Sequence, residues 1–405
     1  MNVIFLTLDR FLNVNDREIS EDLMRKFRNE GHQVYVVAPR ERCLNMLTKL
    51  ECQENVYILG VKTLNIQKTN FIEKGISTLL IDKLYVSAIK KYLSDVSFDL
   101  ILYTTPPITF TGVVDYIKKK NPKAVSYLLL KDIFPQNAVD IGLFGEKSLF
   151  YRYFRHKEIK LYRQSDFIGC MSPANVEFLL YHNKFISPKC VEVAPNSIEL
   201  AEQCILSCND RRYIRQKYKL PIDKPIFIYG GNLGKPQGID FLIECLDRNK
   251  TRDDCYFLVV GSGTEYTKIK AWYDSVSPQC VSVFQRLPKT DYDLLVQSCD
   301  VGLIFLDHRF TIPNYPSRLL SYMEYRMPVI CATDPNTDIG KIAEANDYGY
   351  WCESNSVDAF SILVDRMIYS NREKMGNNGY EFLKKNYLVQ NTYEAIVRHF
   401  KQEDV

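Results

Sequence analysis

A loop containing Pro313 and Pro316 leads into Ser317-Arg-Leu-Leu-Ser321, and the pattern places Arg318 in the first turn of a helix. A helix start already carries unpaired N–H groups and the positive end of the dipole, so a cation is poorly placed there. A bound diphosphate, drawn by both the dipole and Arg318, explains the arrangement; a salt-bridged or solvated arginine is the plainer alternative. A second segment, Gly230-Gly-Asn-Leu-Gly-Lys-Pro-Gln-Gly238, joins a predicted strand at Ile226–Tyr229 to a helix starting near Ile239. Its glycines let the backbone approach a ligand closely, and the helix start offers donors to a phosphate. An ordinary strand-to-helix turn reads the same way. The order is not G-x-x-x-x-G-K-S/T, so it is no ATPase loop. Gly261-Ser-Gly263, after a strand at Tyr256–Val260, is a second such turn and a weaker signal, lacking a third glycine and a following acid.

Short apolar runs alternate with amphipathic stretches almost from end to end, and these must carry the turns. Strands are predicted at Val3–Leu8, Val34–Ala38, Val56–Leu59, Leu100–Tyr103, Val125–Leu129 and Phe167–Met171, with a helix over Ile19–Glu30. The pattern pauses at Val193-Ala-Pro-Asn-Ser197. It resumes with a polar helix over Arg211–Lys219 and strands at Ile226–Tyr229, Tyr256–Val260, Val281–Phe284, Val301–Phe305 and Val329–Cys331. Continuous Val/Ile/Leu runs of this length fit a parallel sheet covered by helices on both faces. Two βαβ series predict an α/β chain of two Rossmann-like domains facing each other across a cleft, over 1–196 and 197–389. A last helix over Tyr393–Lys401, in a tail of about 390–405, is expected to return to the first domain. In such sheets ligands sit beyond the carboxyl ends of the strands, where these turns lie.

A length of 405 residues suits two α/β domains, and 46% hydrophobic with 25% charged residues excludes disordered and fibrous classes. The net charge of +3 argues against a nucleic-acid binder, which would carry a basic stripe. The 12 cysteines are scattered without C-x-x-C spacing, and Cys204 with Cys208 lacks a second ligand pair. Free thiols in a reducing cytoplasm are expected. The apolar start, Met1 to Asp9, has no basic lead and reads as a buried strand. No run approaches the roughly 18 to 20 apolar residues of a membrane span. A cytoplasmic protein is expected, with any membrane contact peripheral.

The ordered set of segments resembles glycosyltransferase family 4, the group 1 glycosyltransferases, and in it the bacterial polysaccharide branch with L-fucosamine and colanic-acid transferases. The segments are Gly31-His-Gln-Val34, Lys131-Asp-Ile-Phe-Pro-Gln-Asn-Ala-Val139, Met171-Ser-Pro-Ala-Asn175, Pro195-Asn196, Gly230–Gly238, Val260-Gly-Ser-Gly263 and Tyr315–Ile330. The resemblance implies a GT-B fold, a nucleotide-sugar donor in the C-terminal domain and an acceptor in the N-terminal one. It also implies retention of configuration and neither metal nor cofactor. Many members carry two glutamates separated by seven intervening residues before the last donor-binding strand; those positions are Pro313 and Ser321 here, with Glu324 three residues beyond. The common Arg and Lys of the phosphate loop correspond to Asn232 and Gln237. Arg318, with Lys235, is therefore expected to take over the diphosphate contacts, and Ser317, Ser321 and backbone amides the sugar or ribose contacts. The expected donor set is Gly231, Asn232, Gly234, Lys235, Gln237, Gly261, Arg286, Arg309, Pro316, Ser317, Arg318, Leu319 and Ser321.

In the first domain Asp132 follows the strand Val125–Leu129, and Lys131 stands where many members have a histidine near the donor sugar. Both are candidate catalytic residues, although Asp132 as a cap of the Ile133–Pro135 turn is an equal reading. Asp9, Arg10, Asp16 and Arg17 lie in a polar loop after the first strand, suited to a hydroxyl-rich acceptor or simply solvated. Asp291-Tyr-Asp293 has a metal-binding D-x-D form but reads as the N-cap region of a helix over Leu294–Ser298. His32 is expected to be structural, and His308 with Arg309 to lie on the donor side. The stretch Phe144–Arg163 mixes aromatics with Lys and Arg; Phe150, Phe154 and Leu161 share a helical face, which suits an anionic membrane surface or a core-facing helix. The expected activity is transfer of a sugar, UDP-linked, to a glycan or lipid-linked glycan. A sugar-nucleotide epimerase and a silent scaffold are the other classes.

Overall fold

The computed structural model describes residues 1–66, 71–200 and 206–403, so Cys204 lies outside the described residues. The chain divides into two units, one of Met1–Glu199 with the segment from Leu388 onward, the other of Leu200–Tyr387.

The first unit holds β1 (Asn2–Leu6), β2 (Gln33–Glu41), β3 (Lys49–Gln53), β4 (Val56–Thr63), β5 (Leu100–Thr104), β6 (Val125–Leu130), β7 (Phe167–Cys170) and β8 (Val191–Val193). Among the described residues they form one sheet in the order β3-β4-β2-β1-β5-β6-β7-β8. All pairs are parallel except β3 with β4. Val3, Ile4, Phe5 and Leu6 are all fully buried, which only an interior strand covered on both faces allows. Burying each such side chain contributes roughly 1.5–3 kcal/mol. The helix Ile19–Asn29 presents Leu23, Met24 and Phe27 to this core. The helix Val389–Val397 closes it from the other end of the chain with Ile396 and Val397. Thr392 Oγ1 donates to Pro195 O at 3.1 Å and Val389 N to Ile198 O at 3.0 Å, which fastens the returning segment. His32 is structural: its Nε2 meets the Tyr393 hydroxyl at 2.9 Å.

The second unit holds β9 (Ile226–Asn232), β10 (Tyr256–Ser262), β11 (Val281–Gln285), β12 (Val301–Phe305), β13 (Val329–Thr333) and β14 (Gly349–Glu353). They form a parallel sheet in the order β11-β10-β9-β12-β13-β14. The order reverses at β9, so the crevice beyond its carboxyl end is the topological switch point at which such sheets bind ligands. In the register of β9 and β10, Gly231 pairs with Gly261 and Asn232 with Ser262, so the two glycine turns lie side by side.

Several boundaries differ from the sequence reading. The helix expected over Arg211–Lys219 runs over Cys208–Lys217, because Ser207 and Asp210 form a reciprocal capping box. The last helix is Val389–Val397 followed by a 3-10 turn, not Tyr393–Lys401. Asp291 and Asp293 are not an N-cap: the helix is Lys289–Gln297 with Pro288 at the N-cap position and no side-chain cap bond, and Asp291, in its first turn, pairs with Lys217 at 3.1 Å. The face proposed for Phe150, Phe154 and Leu161 is divided in the helix Leu149–Gln164. Leu161 is in the core, Phe154 packs edge-on to Phe134 at 5.0 Å, and Phe150 is 68% exposed. No helix of the described residues is long and apolar enough to cross a membrane.

Candidate functional site

Beyond the end of β9 the chain turns at Gly231, whose φ of +119° is open to glycine and strained for other residues. Tyr229 and Tyr322 shape this turn from below. Tyr229 donates its hydroxyl to Asn232 O at 2.8 Å, while Tyr322 donates to Ile228 O at 3.1 Å and accepts from Gly230 N at 3.2 Å. A Cβ at Gly230 would stand 1.9 Å from the Tyr292 hydroxyl, and one at Gly261 would stand 2.0 Å from Gly231 O. The glycines at 230 and 261 are therefore required by close packing of the turns. Burial pushes the Tyr292 phenol up to about 12, so it stays neutral.

Arg318 enters this crevice from the first position of the helix Arg318–Glu324. Its guanidinium lies over the Tyr229 ring, 4.3 Å from the centroid, and its Nη2 would be 3.7 Å from a Cβ on Gly231. Nη1 is buried with no hydrogen-bond partner, and among the described residues Arg318 forms no ion pair. A guanidinium at a helix start with an unmet buried donor has the chemistry to take an anionic oxygen. The structure thus brings Arg318 beside Gly231, and Gly231 in turn pairs with Gly261 across the strands.

The rest of the donor set divides. Gln237 Oε1 accepts from Asn232 Nδ2 at 3.0 Å and Gly234 N at 3.2 Å, so Gln237 and Asn232 brace the turn on each other. Lys235 is exposed on the same turn. Ser317 is exposed, and Pro316 and Ser321 are half-buried at the Arg318 helix. Leu319 is fully buried, with its amide donating to Pro316 O at 3.2 Å, so its side chain belongs to the core. Arg309 is engaged by Asp307, through Nε at 2.9 Å and Nη2 at 2.8 Å. Burial works to raise the Asp307 pKa, but the Arg309 hydrogen bonds outweigh it and the carboxyl lies below its ordinary value. Asp307 N reaches Pro236 O at 3.0 Å, which keeps this loop against the glycine turn. His308 is exposed beside it, and Arg286 is exposed after the edge strand β11.

In the first unit Lys131 and Asp132 follow β6, and both backbone amides donate to Thr105 Oγ1, at 3.1 and 3.2 Å. Asp132 Oδ1 accepts from Asn137 Nδ2 at 2.7 Å. Burial lowers the Lys131 pKa, against the pull of Asp9 and Glu21. Glu21 is itself buried, with Oε2 unpartnered, and burial pushes its carboxyl up to about 8. A small cavity lined by Lys131, Asn196, Ser20 and Phe5 adjoins them. Asp9 Oδ2 accepts from Ser20 Oγ at 2.9 Å, Arg10 pairs with buried Glu41 at 3.2 Å, and Arg17 reaches Glu199 O at 3.3 Å. Asp16 is exposed, its backbone oxygen accepting from Arg25 at 2.7 Å. Of the acceptor candidates, both arginines are thus engaged within the fold.

Sequence reasoning missed Tyr229, Tyr292 and Tyr322 around Arg318, and Glu21 near Lys131. The doublet Gly230-Gly231 was the available signal, since a second glycine in a strand end marks a close neighbour. Among the described residues no group of three His, Cys, Asp or Glu side chains is gathered as metal ligands.

Residues 210–382 match the family model for glycosyl transferases group 1. The chain is 24% identical over 263 residues to the probable glycosyltransferase WbjE of Pseudomonas aeruginosa, covering 64% of each chain. It is 25% identical over 154 residues to WcaI of Escherichia coli K12, a putative colanic acid biosynthesis glycosyl transferase, covering 37% of each. The chain therefore spans less than two thirds of the length of these relatives. Among solved structures, sucrose-phosphate synthase of Thermosynechococcus elongatus superposes with a TM-score of 0.74 at 16% identity, over 99% of both chains. HepE of Anabaena, solved in complex with UDP, gives 0.68 at 13% identity, over 99% of this chain and 100% of that one. At such identities the likeness speaks for the fold. The chain has the GT-B fold of two Rossmann-like units, and the match to the group 1 glycosyl transferase model falls within the second.

Proposed function

We propose that this chain is a retaining glycosyltransferase of hexosyltransferase type, moving a sugar from a UDP-linked donor to a glycan or lipid-linked glycan in bacterial surface polysaccharide biosynthesis. The observation that carries the reading is the unmet, buried guanidinium edge of Arg318 beside the Gly231 turn at the switch point of the second sheet. HepE, a protein of the same fold, is solved with UDP, and WcaI is described by its part in colanic acid biosynthesis; both favour this choice of donor and process. Negative charge grows on the leaving diphosphate as the anomeric C–O bond breaks, and Arg318 with the backbone amides of the turn stabilises it without a metal. The acceptor oxygen forms the new bond on the same face while its proton passes to the departing phosphate. Lys131 and Asp132 at the end of β6, with the loop of Asp9 and Asp16, are the groups assigned to the acceptor and the reacting sugar. Nucleotide release measured with and without a glycan acceptor tests this. Release that needs acceptor is expected; sugar isomerisation without acceptor indicates the epimerase, and no turnover with any donor indicates the scaffold.

The acceptor reading extends to a place of work, the cytoplasmic face of an anionic membrane. Leu149 is 79% and Phe150 68% exposed at the start of the helix Leu149–Gln164. Exposed Lys147, Arg152 and Arg163 surround the helix, and Lys157 lies 5.8 Å from the Tyr153 ring. Apolar side chains in water beside cations suit an interface of acyl chains and anionic headgroups.

A further inference from the structure

The loop from Phe310 to Ser317, which delivers Arg318, contains Pro313 and Pro316, each of which removes one backbone donor. It is tied to the turn after β13, and Tyr315 within it meets the Tyr387 hydroxyl. Asn314 N donates to Thr337 Oγ1 at 3.0 Å, and Thr337 Oγ1 donates in turn to Asp334 Oδ2 at 2.8 Å. Thr337 N and Asn336 N donate to Asp334 Oδ1 at 2.8 and 2.9 Å. Asn336 Nδ2 then donates to Phe310 O at 2.7 Å, making a second tie to the same loop. Asp334 and Thr337 are both fully inaccessible to solvent.

We infer that Asp334 is a positioning residue for Arg318, acting through Thr337 and Asn336 on the two ends of the segment Phe310–Asn314. A carboxylate buried in this way is costly, and burial raises its pKa to about 6 in spite of the hydrogen bonds it accepts. It has no route to a ligand of its own, so its use lies in what it holds. Between Asn314 and Arg318 the chain is short and carries Pro316, whose fixed φ transmits the position of the anchor to the helix start. A displacement of the anchor moves the guanidinium off the Gly231 turn, and an electrostatic site is sensitive to such displacements. The inference rests on the donor-site reading of Arg318.

The test compares UDP with uridine at pH 8, where Asp334 is ionised, using Thr337→Val and the conservative Thr337→Ser. Calorimetry or ligand-observed NMR gives both affinities, and circular dichroism confirms that each variant is folded. Thr337→Val is expected to lower the UDP-to-uridine affinity ratio about tenfold, the scale of one buried hydrogen bond left unmet. Thr337→Ser should restore it to within about twofold of wild type. A merely structural defect would weaken both ligands together, and that result, like an unchanged ratio, overturns the inference. If Thr337→Val does not fold, Asp334→Asn is read by the same ratio and the same criteria. A wild-type protein that binds UDP no better than uridine overturns the donor-site reading itself, and the positioning role with it.

Discussion

Arg318 and Tyr229 come from segments almost ninety residues apart in sequence, yet the guanidinium of one lies 4.3 Å from the ring centroid of the other. The ring holds the cation by its face, a contact worth about 0.5 to 2 kcal/mol, and leaves the guanidinium edge for a ligand. Tyr229 also fixes the turn through Asn232 O, so one side chain orients both halves of the site.

The two glycine turns are packed backbone to backbone, and Gly261→Ala should break that packing. The added Cβ would stand 2.0 Å from Gly231 O, and no side-chain rotation relieves a clash with a carbonyl. Urea denaturation should show a loss of about 1 to 3 kcal/mol, the range for overpacking. Wild-type stability in this variant would mean that the turns are not in contact.

Stability should fall with rising pH on account of Glu21. Its carboxyl is raised to about 8 in the folded chain, chiefly by burial, so the folded state holds the proton more tightly than the unfolded state. The contribution is complete below the ordinary carboxylate range and is lost as pH rises through about 8. Glu21→Gln removes it. Denaturation at pH 6 and pH 9 should show the variant gaining on the wild type at the higher pH; equal pH slopes in the two proteins would falsify the assignment.

The exposed start of the helix Leu149–Gln164 gives a surface prediction. Leu149→Ser with Phe150→Ser should leave stability within about 0.5 kcal/mol, as for other surface changes. Wild type should sediment with phosphatidylglycerol liposomes at low salt, less at high salt, and the double variant less still. A wild type that stays in the supernatant at low salt removes the membrane from the account.

Turnover should survive EDTA, because the diphosphate charge is assigned to Arg318 and backbone amides. Activity lost in chelator and restored by Mg²⁺ or Mn²⁺ would transfer that role to a metal.

Most interior strands were legible because each is a continuous apolar run buried on both faces. The missed strands differ in kind. β3 (Lys49–Gln53) is an edge strand with no buried residue and with Lys49 and Cys52 exposed, β8 (Val191–Val193) is three residues long, and β14 (Gly349–Glu353) opens on a glycine and has only Tyr350, Trp351 and Cys352 before a glutamate. The glycine turns and Arg318 were legible because helix starts and φ > 0 positions constrain residue type locally. Arg10 and Arg309 looked equally available in sequence. Their engagement by Glu41 and Asp307 is a matter of tertiary contact that local pattern does not carry. The helix over Phe150 shows the same limit: its period was evident, but which of its faces met Phe134 and the core was not.

The most direct test of the donor site is a calorimetric titration of UDP and GDP into wild type and Arg318→Ala. UDP is expected to bind the wild type, and the substitution to weaken it by about 1.5 to 3 kcal/mol, the value of a charge-assisted hydrogen bond, with the folded spectrum unchanged. Equal UDP affinity in the two proteins would contradict the donor-site reading, since the unmet guanidinium of Arg318 would then have no part in holding the diphosphate.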